Sequence, residues 1–208
     1  SNGKDTDMTF AQLINEISEL NIERIRYITS HPRDMTEELM RAHRDIEKLQ
    51  PYLHLPVQSG SDKILKEMNR NYSSQEYIEI IDRTREYKED IAISGDFIVG
   101  FPGETDDDFE ATLDIVKRVK YAHAYSFKYS PRPGTPAALK DDQIDEEIKS
   151  ERLKTLQDLI RQQTRDFNSS FFEKEINVLI EKQGLGVNRL TGRSSYCLLY
   201  TSPSPRDR

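Results

Sequence analysis

Ile91-Ala92-Ile93-Ser94-Gly95-Asp96-Phe97-Ile98-Val99-Gly100-Phe101-Pro102-Gly103-Glu104-Thr105 is the stretch on which the fold turns. Residues 91–99 are an apolar, β-branched run of strand length, and the glycines and proline after them end it. Thr105 followed by Asp108 has the spacing of a capped helix start, and Phe109, Leu113, Val116 and Val119 then share one helical face. Strand, polar loop and helix in that order make a βα unit. Asp96 is the exception in it, because a carboxylate in an apolar strand costs several kcal/mol unless it is paired or holds a ligand.

The same rhythm extends outward in both directions. Upstream, residues 52–57 read as a strand with Gln58-Ser59-Gly60-Ser61 as its exit loop, then a short helix over 62–68. Ser73 and Glu76 cap a further helix to about Lys88. Further upstream, 8–20 is an amphipathic helix and 22–29 a short strand ending at Ser30-His31-Pro32. Asp34 with Glu37 predicts a capped helix running to 49, where Pro51 breaks it. Downstream, 124–129 is a fourth strand, followed by Ser130-Pro131-Arg132-Pro133-Gly134-Thr135. Four strands, each leaving through a polar loop, predict an α/β fold of parallel βα units. Ligands in such folds sit at the C-terminal strand ends.

The character changes after residue 143. A long, strongly charged helix is predicted over 144–174, with an apolar stripe of Ile148, Leu153, Leu156, Leu159 and Ile160. Residues 175–196 read as the start of an all-β module, and 197–208 as a tail in which Ser202-Pro203-Ser204-Pro205 opposes a strand. The chain of 208 residues carries 30 Lys and Arg against 37 Asp and Glu, a net charge of -7, and one cysteine, Cys197. One thiol excludes a disulfide framework and any cysteine-rich metal site made by this chain alone. No apolar run approaches membrane-spanning length and no signal peptide opens the sequence, so a cytoplasmic protein is expected.

The exit loops hold the candidates. Gln58 offers an amide beside two hydroxyls and free backbone N–H groups, which suits a ribose or a carboxylate; a polar turn would look the same. Arg70 could take a ligand carboxylate bidentately or lie at the surface. Asp96 is a ligand group or a structural hydrogen-bond acceptor. Lys128, Tyr129 and Arg132 cluster at the fourth strand end, where they could bind an anionic substrate or simply be satisfied at a barrel rim. The four histidines show no metal-ligand spacing: His43 is expected at the surface mid-helix, His54 at the core or rim, and His31 stays a candidate at a strand end. Gly100 to Glu104 is neither a P-loop nor a dinucleotide fingerprint.

Taken together, the loops resemble one family. Thr29-Ser30-His31-Pro32-Arg33-Asp34-Met35, His54-Leu55-Pro56-Val57-Gln58-Ser59-Gly60-Ser61, Met68-Asn69-Arg70, Gly95 to Thr105, and Tyr125 to Thr135 are similar, in that order, to the radical S-adenosylmethionine methylthiotransferases, most closely the MiaB-type tRNA enzymes. The resemblance spans about residues 10–196. It implies a partial radical-SAM-type (β/α) barrel over 1–143, a connecting helix over 144–174, and the first strands of a TRAM β-barrel over 175–196. It also implies S-adenosylmethionine as cofactor and two 4Fe–4S clusters in the family at large, whose cysteine sets this sequence lacks. The expectation is therefore a fragment beginning after them and inactive alone.

By the same resemblance, Gln58 and Asp96 would bind the ribose hydroxyls and Arg70 the methionyl carboxylate. Ser30, His31, Pro56, Ser59 and Phe101 would line the pocket. Lys128, Tyr129 and Arg132 would face the substrate, and Arg189 and Arg193 would contact tRNA phosphate. The implied chemistry generates a 5′-deoxyadenosyl radical, which takes a hydrogen from C2 of an N6-isopentenyladenosine beside the anticodon; sulfur and a methyl group follow. The partners are tRNA, a sulfur donor and an electron donor, with no membrane. Two other readings stay open: an RNA-binding module formed by 144–196, and a different (β/α) enzyme using Asp96 and His31 for acid–base work.

Overall fold

The structure, a computed structural model, describes residues 8–28, 31–184 and 189–202. It contains two sheets. The first is parallel, in the order β1 (Tyr52–His54), β2 (Ala92–Val99), β3 (His123–Lys128). Helices α3 (Asp62–Glu67) and α4 (Ser74–Tyr87) lie between β1 and β2 in the chain, and α5 (Asp106–Val119) between β2 and β3. Helices α1 (Phe10–Ser18) and α2 (Glu37–Asp45) precede them, and α6 (Glu146–Ser169) follows. The second sheet is antiparallel: β4 (Val178–Gln183), β5 (Leu190–Ser194), β6 (Leu199–Ser202).

The capping signals at Ser73/Glu76 and Thr105/Asp108 both form complete capping boxes. The one expected at Asp34/Glu37 does not. Pro32–Asp34 makes a single 3-10 turn, capped by the His31 ring, and α2 is capped by Thr36 instead. A proline at the first position and a cap further along start the helix later than the sequence suggested. Helix α2 then ends at Asp45, because Ile46 is extended.

The expected strand over 22–29 is not one; of its residues, Thr29 lies outside the described residues. Ile25 alone bridges, its N–H donating to Lys48 O (2.8 Å) and its O accepting from Gln50 N (3.0 Å). The next donor along that partner, Tyr52 N, turns back on Gln50 O, so the ladder stops. The first sheet accordingly has three strands, not four. Pro56, with no N–H, likewise cuts β1 short of its expected end at 57. Pairing continues in pieces through Leu55 N to Ser94 O and a bridge from Gln58 to Phe97. In the segment 197–208, expected to be a non-strand tail, Leu199–Ser202 pairs with β5 as a third strand; residues 203–208 lie outside the described residues.

Side chains alternate along the parallel strands. Leu53, Ile93, Phe97 and Val99 face the helices and are fully buried with Tyr77, Ile81 and Val116. Two tyrosines tie this layer together: Tyr121 donates to the Tyr77 hydroxyl (2.9 Å), and Tyr77 donates to Leu55 O (2.8 Å). Tyr77→Phe should cost about 1–3 kcal/mol, because the buried Tyr121 hydroxyl loses its acceptor. Urea denaturation checks this, and adding Tyr121→Phe should recover part of the loss.

The other face of the sheet carries His54, Ser94, Asp96, His123, Tyr125 and Phe127, in register across the three strands. It is open, with Tyr125 54% and Phe127 55% exposed. His43, expected at the surface, is 2% exposed, enclosed where α2 packs on Tyr27. Among the described residues no helix is long and apolar enough to cross a membrane.

Candidate functional site

The strand exits converge at one rim. Gln58 takes a left-handed backbone, φ 77°, which a non-glycine residue holds only when its surroundings enforce it. Here β2 does so: Gln58 N donates to Asp96 O and Gln58 O accepts from Ile98 N, each at 2.9 Å. Its half-buried side chain makes no hydrogen bond among the described residues.

Asp96 is not in the apolar layer. It belongs to the open face, its side chain 27% exposed, with His54 Nε2 3.4 Å from one carboxylate oxygen. That resolves the cost of a carboxylate in this strand: pleat alternation directs it away from the core.

Arg70 follows α3. Its backbone N–H donates to Leu65 O, and its half-buried guanidinium meets no carboxylate among the described residues. Its positive charge acts on Tyr72, whose hydroxyl donates to Val57 O (3.0 Å) and whose ring meets His31 edge-on at 5.1 Å. Tyr72 thus links three exit segments: His31 after the first turn, Pro56 and Val57 before the second loop, and Arg70.

Other expected site residues have structural work. Ser59 is fully buried; its hydroxyl meets Thr112 of α5 (3.3 Å) and accepts from Ser61 N (3.1 Å). It shapes the loop from inside. Gly60 beside it is required, since a Cβ there would sit 2.1 Å from Ala111 O. Phe101 is buried against Tyr129, ring centroids 5.0 Å apart, and Lys149 lies 5.8 Å from the Tyr129 ring centroid. The Tyr129 hydroxyl is buried with no hydrogen-bond partner among the described residues.

Lys128 turns toward α6, where it pairs with Glu146, because positions 124, 126 and 128 of β3 face that helix. Tyr125 and Phe127 occupy the open face in its place. Arg132 is exposed. Arg193 pairs with Glu181 at 3.2 Å, both side chains partly exposed, and Arg189 is exposed on its loop. Ser30 lies outside the described residues.

The Gly100–Glu104 loop is held from inside. Glu104 accepts from Gly100 N (2.8 Å) and pairs with Arg152 of α6 (2.8 Å), and both side chains are buried, 1% and 8% exposed. Burial pushes the Glu104 carboxyl above its usual range. Asp108 joins the same region: burial would raise it, but hydrogen bonds from Lys63, Ser61 and Thr105 outweigh that and hold its carboxyl far below the usual range. Sequence reasoning missed Arg152, yet a cation in the stripe of Leu156 and Ile160 was a signal that it had a buried partner. It also missed Ser94, which the period of two from Asp96 places beside it, and His123, which only the β2–β3 register brings to that face.

A family description for the Radical SAM superfamily matches residues 3–116, which include Gln58, Arg70 and Asp96. The chain belongs to the radical SAM superfamily. Among its relatives is the tRNA-2-methylthio-N(6)-dimethylallyladenosine synthase of Maricaulis maris (strain MCS10), 58% identical over 186 residues, which are 89% of this chain and 41% of that protein. This radical SAM chain therefore spans about two fifths of the length of that relative. Among solved structures, the radical SAM enzyme coproporphyrinogen III oxidase (HemN) from Escherichia coli superposes with a TM-score of 0.52. The identity is 21%, over 64% of this chain and 31% of that one, which supports the fold alone.

Proposed function

We propose that this chain is part of a tRNA methylthiotransferase that installs a methylthio group on C2 of an N6-isopentenyladenosine, and that its own share of the task is to hold S-adenosylmethionine. The observation that carries the reading is the rim geometry: Asp96 opens onto the free sheet face while the half-buried Arg70 has no carboxylate partner among the described residues. The 58% identity to a synthase of that name supplies the substrate class.

S-adenosylmethionine fits the residues present. Its α-carboxylate matches the fork of Arg70, and its ribose diol offers two hydroxyl donors to the Asp96 carboxylate and the Gln58 amide. The sulfonium cofactor supplies the methyl group and the adenosyl radical; the residues of this chain bind and orient it. A 4Fe–4S cluster does not fit this chain, because cluster ligation takes several thiolates and the sequence has one cysteine. The reading places the protein in the cytoplasm with tRNA as substrate and sulfur and electron donors as partners. The antiparallel strands β4 to β6 suit the opening of an RNA-binding β-barrel, with Arg189 as the phosphate contact.

The test is S-adenosylmethionine binding to the full chain, followed by ligand-observed NMR. Binding weaker than micromolar is expected, since this chain has no cluster to chelate the methionyl group. Arg70→Ala and Asp96→Asn should each weaken it by about tenfold or more, as loss of a charged hydrogen bond does. Equal binding by the parent chain and both variants would sink the reading.

A further inference from the structure

We infer that His54 is a positioning residue for Asp96, fixing the aim of that carboxylate by a 3.4 Å approach at the end of a hydrogen-bonded run of Tyr52, Ser94 and His54 across β1 and β2. The inference rests on the reading of Asp96 as a cofactor-binding carboxylate and adds the group that orients it.

Two hydrogen bonds and one longer polar approach make up the chain. Tyr52 Oη lies 2.7 Å from Ser94 Oγ, Ser94 Oγ lies 2.7 Å from His54 Nδ1, and His54 Nε2 lies 3.4 Å from Asp96 Oδ2. Strand register creates it. Tyr52 pairs with Ala92 and His54 with Ser94, so all four side chains share the open face.

Proton counting selects one direction. A serine hydroxyl has a single hydrogen, and a neutral imidazole has one N–H. If Tyr52 donates to Ser94 and Ser94 donates to Nδ1, the imidazole proton sits on Nε2 and points at the carboxylate. The reverse order would turn the Nε2 lone pair toward the Asp96 oxygen, lone pair against negative charge. Burial raises the Tyr52 phenol, which keeps it in its donating form.

The surroundings leave the other carboxylate oxygen available. His123 sits opposite Ser94, and Tyr125 opposite Asp96, on the same face. His123 acts electrostatically on this pair, its own imidazole pushed down by burial and by His54. Asp96 Oδ1 makes no hydrogen bond among the described residues. One oxygen faced by the imidazole and the other open is an arrangement that presents a carboxylate to a diol.

The first measurement needs no ligand. Nitrogen NMR of the full chain, at a pH where imidazole is neutral, should find His54 as the Nε2–H tautomer. Ser94→Ala should raise the Nδ1–H fraction, and His54→Leu should move the Asp96 carboxyl carbon resonance. An Nδ1–H tautomer in the parent chain, or an Asp96 resonance that ignores His54→Leu, overturns the inference. With S-adenosylmethionine, His54→Leu should weaken binding about tenfold and His54→Gln, which keeps an N–H at similar reach, by less. Neither should have any further effect in an Asp96→Asn background, as expected for a residue acting through another. If Asp96→Asn leaves binding unchanged while the NMR signatures hold, Asp96 is not the ribose ligand and the orienting role of His54 stands. Should Asp96→Asn weaken binding while the His54 variants change neither resonance nor affinity, the positioning role is refuted. Backbone amide spectra of each variant confirm that it is folded before it is compared.

Discussion

Arg152→Ala should lower the stability of this chain by about 3–5 kcal/mol, the usual cost of stripping one partner from a buried ion pair. The side chain makes four contacts at once. It donates to the Glu104 carboxylate at 2.8 Å and to Glu104 O at 3.2 Å, and its second terminal nitrogen reaches Asp106 at 2.7 Å. Its plane also covers Phe109, the guanidinium carbon 5.6 Å from the ring centroid. The Asp106 contact contributes little, because that carboxylate is in water. Truncation strands Glu104, whose carboxyl burial already pushes upward.

The pH dependence of that loss has a definite sign. A carboxyl whose folded pKa is raised favours the folded state most below its unfolded value and loses that contribution as pH rises through the folded value. Without Arg152 the raise is larger. The deficit of Arg152→Ala should therefore be small near pH 4.5 and grow toward pH 7. Adding Glu104→Gln should recover much of it, since no charge is then left to bury. Urea denaturation midpoints of the parent and both variants across that range check this. A deficit independent of pH would mean that lost packing on Phe109, not the stranded carboxylate, is the cause.

The same pair shows where sequence reading reaches and where it stops. Helix starts at Ser73 and Thr105 were legible because every group in a capping box lies within four consecutive residues. Strand 91–99 and its exit loop were legible from local composition. Arg152 and Glu104 are separated by 48 positions, so their pairing depends on where α6 crosses the sheet. Lys128 is the converse case: its position at a strand end suggested a ligand, but one step of pleat turns it to Glu146 and gives the open face to Tyr125 and Phe127. The segment 22–29 had strand composition yet lacked a partner able to continue the ladder beyond Ile25. Pairing is a property of two segments, and composition reports on one.

His43 is the clearest instance, and it sets the second large effect. Between pH 6.5 and pH 4 the chain should lose about 3 kcal/mol of stability through this one imidazole. Its pKa is lowered from 6.5 to about 4, chiefly by burial, with the nearby Lys88 charge acting the same way. The Tyr27 hydroxyl lies 2.6 Å from Nε2. An unfolded chain binds the proton near pH 6.5 while the folded chain refuses it until about pH 4. Across that window the unfolded state holds more protons, so stability rises with pH and is lost on acidification. His123, lowered by burial at a half-exposed position, adds a smaller contribution of the same sign. The depressed carboxyl of Asp108 acts below this window, since its loss begins only as pH falls under the ordinary aspartate range. His43→Gln keeps a polar group facing Tyr27 but has no proton to refuse. It should flatten most of the slope between pH 6.5 and pH 4, while His123→Gln should remove only a small part. Thermal or urea unfolding at closely spaced pH values measures both slopes, and proton NMR of the His43 ring reads its titration directly. A ring that titrates near 6.5 in the folded chain would show that α2 does not enclose it, and with it the packing of α2 against Tyr27 would have to be redrawn.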